Sequence, residues 1–431
     1  MANRKPAKAK TQKPKSLRKV ALAGMVGNAL EWYDYMIYGS FAPIIGSLFF
    51  PSGDPVISIL RAYGVFAAGF IMRPLGAVIF GYIGDRYGRK TSLAISILLM
   101  AIPTSFIGLL PTYAQAGIIA PILLTLMRLL QGVALGGEFS GSITYIVEHA
   151  APKNRNFAGS LSVSSLILGM LLGSGVATLF AHILDKQALE SWGWRIPFIL
   201  GFFIGIIGLY IRSYLSESPE YENAKQFGQL ADKPIRNLFK NNFGGIMTAT
   251  GVYMAVTVPF YMLSIFMNAF LAQFLHFTLS QALTINTIGM FTLLFFVPLS
   301  ARLADKYGNR PVLLVSLILL GLIALPVFWL ITQEVYALAI IGEVFFAAVL
   351  AFYIAPIPTV LVDIFPVSVR YTGMAVACNL CAALFGGTTP YVATKLLQAT
   401  GNNMALAYYI IASVLISLVS LHFLPKHLKK P

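Results

Sequence analysis

Acidic and basic side chains occur inside several long apolar stretches of this sequence. Glu31 and Asp34 lie in the first stretch, Arg73 in the second, and Arg128 and Glu138 in the fourth. Ionised groups are costly in hydrocarbon, so such residues usually pair with one another or take part in function. A carboxylate in a low-dielectric environment favours its protonated form and can bind and release a proton. We therefore predict proton coupling through Glu31, Asp34 and Glu138.

Helical spacing places further polar and aromatic side chains around these charges. In the first stretch, Asn28, Glu31 and Tyr35 recur at the spacing of one helix face, and in the fourth Gln131 precedes Glu138 by seven residues. Aromatic faces attract a quaternary ammonium, and an arginine can pair with a carboxylate, which suits a zwitterion. The predicted solute-binding residues are Asn28, Tyr35, Tyr38, Arg73, Arg128, Gln131, Tyr253, Phe260, Tyr261 and Ser264.

Two interpretations of the buried charges remain open at this point. They are either a proton relay or static ion pairs that hold the first, second and fourth helices together. In the relay, protonation of a carboxylate frees Arg73 or Arg128 to meet a substrate carboxylate. The relay predicts that Asp34→Asn abolishes accumulation driven by a gradient while the protein stays folded. For each aromatic ring, ordinary helix packing is the alternative.

The composition indicates the elements that position these residues. The 431 residues are 57% hydrophobic and 11% charged, whereas soluble domains carry roughly a quarter charged residues. A membrane helix needs about 20 apolar residues. The spans that we predict are 20–48, 56–83, 91–110, 117–148, 157–183, 196–213, 243–270, 279–301, 311–331, 335–362, 371–397 and 402–424. The sequence thus predicts an all-α membrane protein with about twelve transmembrane helices.

The net charge of +15 follows membrane topology and does not indicate nucleic-acid binding. Lysine and arginine cluster before the first span and after the second, fourth, eighth and twelfth, which all fall on one side. Because such residues concentrate in cytoplasmic loops, both termini are expected in the cytoplasm. The expected regions are a basic cytoplasmic tail (1–19), a six-helix half (20–213), a cytoplasmic linker (214–242), a second six-helix half (243–424) and a short cytoplasmic tail (425–431).

One short segment of charge and glycine recurs half a chain apart. Residues 81–90 (GYIGDRYGRK) and 301–310 (ARLADKYGNR) each lie between two apolar spans, so each is a water-facing loop. We expect Asp85 to stabilise the positive N-terminus of a helix from the other half. The glycines and charged residues of interest in these two loops are Gly81, Asp85, Arg86, Gly88, Arg89, Asp305 and Arg310.

A second repeated pattern supports a duplicated chain. Glu148 and Arg155 follow the fourth span as Asp363 and Arg370 follow the tenth. The pattern of residues 81–90 is similar to the loop between the second and third helices of the major facilitator superfamily. That superfamily is built from two pseudo-symmetric six-helix halves with the substrate between them, and the resemblance implies this major facilitator fold here. The resemblance also implies that the seven loop residues named above act in gating.

Three more segments resemble the metabolite:proton symporter family. They are residues 27–35 (GNALEWYDY), Gln131-Gly132 with Gly136-Gly137-Glu138, and residues 192–198 (WGWRIPF). This family includes proline/betaine, α-ketoglutarate, citrate and shikimate transporters, and segments in 364–371 and 388–390 resemble the proline/betaine members most. The chain ends shortly after the last span, so the long C-terminal coiled coil of osmosensing members is not expected.

The resemblance implies a secondary active transporter that moves a small organic solute and a proton into the cell by alternating access. The solute would be a zwitterion such as proline or betaine, or a carboxylate. A carboxylate symporter, a proton-driven exporter, a sodium-coupled variant and a sensor that binds without transporting remain open. The sequence contains no nucleotide-binding loop, metal-ligand cluster or nucleophile–base pair, so we expect no enzyme activity, cofactor or metal. We expect a monomer in the lipid bilayer of a bacterial inner membrane, energised by the proton gradient.

Overall fold

The computed structural model describes residues 17–214, 216–231 and 233–425. Most of the basic tail predicted for 1–19, as well as Asp232 and the lysines after residue 425, therefore lie outside the described residues. Within that part of the chain, twelve long helices, α1–α12, follow one another with short connections, apart from the longer segment between α6 and α7. Short connections between consecutive helices make neighbours antiparallel.

The first half contains α1 to α6. Their bounds are α1, Leu17–Ser40 continued by Ala42–Phe49; α2, Pro55–Ile71 continued by Arg73–Arg86; α3, Arg89–Leu109; α4, Ile119–His149; α5, Arg155–Ile183; and α6, Arg195–Ser213. The break in α2 falls immediately before Arg73-Pro74, because proline lacks an N–H and restricts the residue before it. The break therefore places the guanidinium of Arg73 at a helix start inside the bundle.

The second half contains α7 to α12. Their bounds are α7, Phe243–Tyr261 continued to Phe274; α8, Leu279–Tyr307; α9, Asn309–Ile331; α10, Tyr336–Ile354 continued by Ile357–Ile364; α11, Arg370–Cys381 continued to Gly386 and by Thr389–Thr400; and α12, Ala405–His422. Two π-helical turns in α7 and one in α11 interrupt the regular pattern. Such turns are frequent at functional sites. Two short helices, Pro219–Gln226 and Pro234–Asn241, lie in the segment between the halves.

Eleven of the twelve helices are apolar and long enough to cross a membrane, judged over the described residues. The exception is α1, whose Asn28, Glu31 and Asp34 reduce its hydropathy although they are buried. The predicted all-α architecture of about twelve membrane helices is confirmed. The residues that make α1 the least hydrophobic span are the same ones that the sequence nominates for chemistry.

The two halves pack against each other in a repeated way. Helix α11 of the second half contacts α2 of the first, and α5 of the first contacts α8 of the second. Helix α2 corresponds to α8 in the repeat, and α5 corresponds to α11. The two contacts are therefore equivalent under the pseudo-symmetry that relates the halves. We call the end of the bundle that carries loops 81–90 and 301–310 the motif face, and the other end the opposite face.

Candidate functional site

A cavity lies between the two halves of the molecule. Helices α1, α2, α4 and α5 supply one wall, and α7, α10 and α11 supply the other. The polar or charged groups that line it include Glu31, Arg73, Ser140, Tyr253, Thr257, Tyr261 and Asn379. A concave, mostly apolar cavity with a few converging polar groups is the usual form of a small-molecule site.

An acid–base pair forms the charged part of this cavity. Arg73 Nη2 lies 3.1 Å from Glu31 Oε1, and the two residues are 7% and 1% exposed. Within the described residues, neither Glu31 Oε2 nor Arg73 Nη1 has a hydrogen-bond partner. The pair therefore keeps one acceptor and one donor free for a ligand at the cavity wall.

Asn379 links this pair to the second half of the molecule. Its Oδ1 accepts a hydrogen bond from Arg73 Nε at 3.2 Å, and its Nδ2 donates to Gly136 O and Ala375 O, each at 2.8 Å. Sequence reasoning missed Asn379, because an asparagine among small residues gives no spacing signal. A π-helical turn that starts three residues later was equally invisible in the sequence.

Aromatic rings form another wall of the cavity. Trp32 packs edge-to-face against Phe260 and Tyr261, with ring centroids 5.8 and 6.4 Å apart. The predicted residues Tyr253, Phe260 and Tyr261 all line the cavity, whereas Trp32 was not among the predicted residues. This wall brings rings from α1 and α7 together, so it is shared by both halves.

A second acid–base pair, Asp34 and Arg128, consists of residues that the sequence nominated and lies outside the cavity lining. Arg128 Nη1 is 2.5 Å from Asp34 Oδ2 and 2.7 Å from Gln131 Oε1, and Gln131 Nε2 donates to Asp34 Oδ1 at 3.1 Å. The guanidinium also lies 3.8 Å from the centre of the Tyr38 ring. These residues form a buried cluster, within which Arg128 Nε and Nη2 have no hydrogen-bond partner among the described residues. Solute contact by Arg128, Gln131 and Tyr38 stays a prediction.

Glu138 belongs to a third buried pair. It is ion-paired with Arg212 of α6 and accepts a hydrogen bond from the Ser96 hydroxyl. The Glu138 carboxylate also packs against Gly27, where an added Cβ would lie 1.6 Å from its Oε1. Sequence reasoning counted two guanidiniums in this half and missed Arg212, because that arginine stands at the end of a span.

Three other predicted solute-binding residues are engaged in packing. Asn28 Nδ2 donates to Ser142 Oγ at 3.0 Å and lies 3.3 Å from Ser165 Oγ, which ties α1 to α4 and α5. The Ser264 hydroxyl donates to Phe260 O at 2.6 Å. Tyr35 stacks on Phe70, with centroids 5.4 Å apart. In this conformation Asn28 and Tyr35 join α1 to other helices, whereas the Ser264 hydroxyl bonds within α7. The contact of these three residues with a solute stays a prediction.

On the motif face, Asp85 lies at the N-terminus of α11. Its carboxylate accepts hydrogen bonds from the backbone N–H groups of Tyr371 and Thr372, at 3.1 and 2.9 Å, and from the Thr372 hydroxyl at 2.6 Å. Asp305 does the same at the start of α5, where it accepts from Asn156 N at 2.8 Å and Phe157 N at 2.9 Å. Each loop aspartate therefore holds the positive end of a helix from the other half.

The other predicted gating residues surround these caps. An added Cβ at Gly81 would lie 2.7 Å from Thr372 Cα, and Gly88 has a φ of +114°. Arg89 contacts Asp85 Oδ1 at 3.1 Å and donates to Val367 O of the second half at 3.0 Å. Arg86 and Arg310 lie on the same face and make contacts of their own. The predicted positions are thus brought together, and their role in gating stays a prediction.

Two ion pairs join the repeats crosswise. Glu148 of the first half lies 2.9 Å from Arg370 of the second, and Arg155 of the first lies 2.9 Å from Asp363 of the second. Each arginine therefore forms an ion pair with the acid of the other repeat. Glu148 also pairs with Arg89 and Arg370 also pairs with Glu220, so the buried Glu148–Arg370 contact is part of a larger charge network at this face.

The segment between the halves also makes hydrogen bonds to both halves at the motif face. Glu217 accepts hydrogen bonds from Arg89 N at 2.9 Å and Lys90 N at 3.2 Å, at the start of α3. Burial raises the pKa of Glu217 above its ordinary value, although these hydrogen bonds oppose the rise. Glu220 of the same segment is hydrogen-bonded to Arg370. The connection therefore stabilises the contact between the halves at this face.

Comparisons with known proteins agree with this architecture. Residues 20–251 match the family described as "Sugar (and other) transporter", and residues 249–431 match "Major Facilitator Superfamily".

Within the described residues, no group of three or more His, Cys, Asp or Glu side chains could hold a metal ion.

Curated relatives cover nearly the whole chain. The glycine betaine/proline/ectoine/pipecolic acid transporter OusA of Dickeya dadantii is 34% identical over 96% of this chain and 84% of its own length. The proline/betaine transporter of Salmonella typhimurium is 36% identical over 94% and 82%. A solved structure of the proton:xylose symporter XylE superposes with a TM-score of 0.77 at 20% identity, covering 95% of this chain and 96% of that one.

Proposed function

Because the chain belongs to the major facilitator superfamily and, within it, to the family of the proline/betaine transporters, we propose that it moves a small zwitterion together with a proton. The observation that carries this proposal is the Glu31–Arg73 pair at the wall of the central cavity. One guanidinium and one protonatable carboxylate face the same space as the aromatic wall.

The two ends of a zwitterion match two parts of the cavity. A solute carboxylate fits the guanidinium of Arg73, which forms charge-assisted hydrogen bonds. A quaternary or secondary ammonium fits the rings of Trp32, Phe260 and Tyr261, since cation–π contact is worth about 2 kcal/mol in a desolvated site. The names of the relatives, which are transporters of betaine and proline, point to the same class.

Protonation of Glu31 would connect the proton to the solute. With Glu31 ionised, Arg73 is held by an ion pair inside the protein. With Glu31 neutral, the guanidinium loses its counter-charge and becomes available to a solute carboxylate. Proton and solute then each stabilise the form of the site that the other requires, which is the reciprocity of linked binding.

The Asp34–Arg128 cluster has a different place in this scheme. It is buried next to the first pair but outside the cavity, so it has no direct route to a solute in this conformation. We assign it to proton transfer or to holding α1 against α4. The Glu138–Arg212 pair joins α4 to α6 in the same manner.

The orientation in the membrane follows from the motif face. Arg86, Arg89 and Lys90 lie there with Lys153, Arg155, Lys306 and Arg310, and excess Lys and Arg indicate the cytoplasmic side. We therefore place both termini and the 214–242 linker in the cytoplasm of a bacterial cell, with each six-helix half in the inner membrane. We propose that the transporter works as a monomer, because the cavity is completed within one chain.

The test is uptake of radiolabelled betaine, proline and α-ketoglutarate into proteoliposomes with an inward pH gradient. We expect accumulation of betaine or proline and not of α-ketoglutarate. Trp32→Leu should raise the KM for betaine by roughly 30-fold, the equivalent of about 2 kcal/mol. Phe202→Leu on the lipid-facing side of α6 is the matched control and should leave KM unchanged. Accumulation of α-ketoglutarate alone would favour a carboxylate symporter.

A further inference from the structure

Glu343 in α10 is a buried carboxyl group that the proposed mechanism does not use. It is 0% exposed, and neither carboxyl oxygen has a hydrogen-bond partner within the described residues. Gly289 of α8 makes room for it, since an added Cβ there would lie 2.8 Å from Glu343 Cγ and 3.1 Å from Oε1. The crossing of α8 and α10 is thus shaped around an acidic side chain.

Charged groups on the helices around Glu343 are far from it. On α8 they are Arg302, Asp305 and Lys306, on α9 Arg310 and on the second part of α10 Asp363, all at the motif face. Arg302 is 13 residues beyond Gly289, a distance of roughly 20 Å along the helix. The first part of α10 contains no other acid or base, and α7 contributes only tyrosine hydroxyls as titratable groups. Among the residues that the structure describes, no counter-charge therefore balances an ionised Glu343.

The internal repeat gives this position a counterpart in the first half. Glu148 and Asp363 are 215 positions apart, as are Arg155 and Arg370, and the same interval relates Arg128 to Glu343. Asp85 and Asp305 are 220 positions apart, and the same interval relates Gly69 to Gly289. The contacts agree, because Gly69 faces Arg128 O while Gly289 faces Glu343. Glu343 therefore stands where the first half has the arginine of its buried cluster.

From this arrangement we propose that Glu343 is a second proton-binding site of the transport cycle, located in the second half. It is protonated in the conformation described here and exchanges its proton when α8 and α10 move apart. The inference rests on the proposed function in one respect, namely that a proton gradient drives transport.

The physical reason is a difference in solvation between conformations. A carboxylate buried without a partner is strongly disfavoured, so the group is neutral here. The neutral form also lacks a hydrogen-bond partner, so any conformation that admits water next to Glu343 favours its ionised form. A group whose proton affinity differs between two conformations couples proton binding to their equilibrium.

Infrared difference spectroscopy tests the protonation state without any solute. The wild-type spectrum at neutral pH should contain the C=O band of a protonated carboxyl group that Glu343→Gln removes and Glu334→Gln does not. Glu334 is the matched control because it is an exposed acid at the start of the same helix. On transfer into D2O the band should shift, and it should shift faster in Asp85→Asn, which weakens closure at the motif face.

Transport stoichiometry tests the exchange step. With betaine as the probe, Glu343→Gln should move one proton fewer per solute than the wild type, and Glu343→Leu should do the same if the glutamine variant folds poorly. A wild-type spectrum without the band, a band that never shifts in D2O, or an unchanged proton count would each overturn the proposal. If the wild type moved neither betaine nor proline, the proposed substrate class would fail, and the infrared experiment would still decide the role of Glu343.

Discussion

The substitution Asp85→Asn should open the motif face of the transporter. Asp85 accepts three hydrogen bonds at the start of α11, from Tyr371 N, Thr372 N and the Thr372 hydroxyl, and pairs with Arg89. These contacts join the two halves, since Asp85 lies in the last turn of α2 and Tyr371 in the first turn of α11. Asparagine has nearly the same shape but no charge, and its NH2 group replaces one of the two accepting oxygens, so the substitution removes both the charge and part of the hydrogen bonding.

The size of the effect follows from the same contacts. A charge at a partly buried helix N-terminus contributes up to about 2 kcal/mol, and charged hydrogen bonds are roughly twice as strong as neutral ones. Arg89 keeps a second carboxylate partner in Glu148, 3.3 Å away, so no guanidinium is left unpaired. We expect a net loss of about 2 kcal/mol from the closed form, which raises the open population roughly 30-fold.

A native cysteine reports this opening. Cys378 lines the central cavity and is 4% exposed, and Cys381 lies one turn away. In a Cys381→Ser background, the rate at which N-ethylmaleimide labels Cys378 is proportional to the open population. We expect labelling in Asp85→Asn to be roughly 30 times faster than with Asp85 present, with a lower transport rate and little change in solute affinity.

The control is Asp185→Asn, which removes another N-terminal cap. Asp185 accepts a hydrogen bond from Ala188 N at 2.6 Å on the exposed opposite face, so this variant should label at the wild-type rate. The reasoning would be refuted if Cys378 were labelled at the same rate in the Asp85→Asn variant as in the protein with Asp85, and if both proteins unfolded at the same temperature. A loss of solute affinity alone would also count against a role in gating.

Three further outcomes follow from the packing and charges. Gly27→Ala should destabilise the protein by about 2 kcal/mol in thermal unfolding, because the added Cβ would meet the Glu138 carboxylate, which pairs with Arg212 of α6. Gly39→Ala is the control and should be neutral, because an added Cβ there has no atom within 4 Å. Asp363→Arg should slow uptake by opposing Arg155, and Arg155→Asp in the same molecule should recover most of the rate; failure of the double variant to recover would argue against the crosswise pair. Burial raises the pKa of Glu217 above 4.5, so at pH values between the pKa of the unfolded chain and that of the folded protein, the folded state retains a proton that the unfolded chain has released. The contribution of Glu217 to the free energy of unfolding therefore falls as pH rises from the lower of these two pKa values to the higher. Thermal unfolding between about pH 4 and pH 7 should show this slope, and Glu217→Gln should remove it.

The motif loops could be predicted because their chemistry is local. Asp85 and Asp305 each follow an apolar span and precede a glycine with positive φ, Gly88 and Gly308. A charged loop between two membrane helices must face water, and an aspartate there readily meets the start of a neighbouring helix. The sequence predicted this contact with the other half for Asp85, and the structure adds the equivalent contact of Asp305 with the start of α5.

The cavity could be predicted only in part, because contacts between helices depend on rotation and tilt. Spacing along α1 placed Asn28 and Glu31 on one face, yet Glu31 lines the cavity while Asn28 bonds to α4 and α5. Trp32 and Asn379 also reach the cavity, although helical spacing did not single out either residue. The π-helical turns in α7 and α11 rotate the residues that follow them, and single-sequence periodicity does not show such turns.

The most direct test of the central claim is accumulation of radiolabelled betaine or proline by wild type and Glu31→Gln in proteoliposomes, with and without an inward pH gradient. We predict that the wild type concentrates the solute only with the gradient. Glu31→Gln should still exchange labelled for unlabelled solute, because Arg73 remains available, but it should not concentrate the solute. Accumulation by Glu31→Gln to the wild-type level under the gradient would contradict the claim that Glu31 couples the proton to the solute.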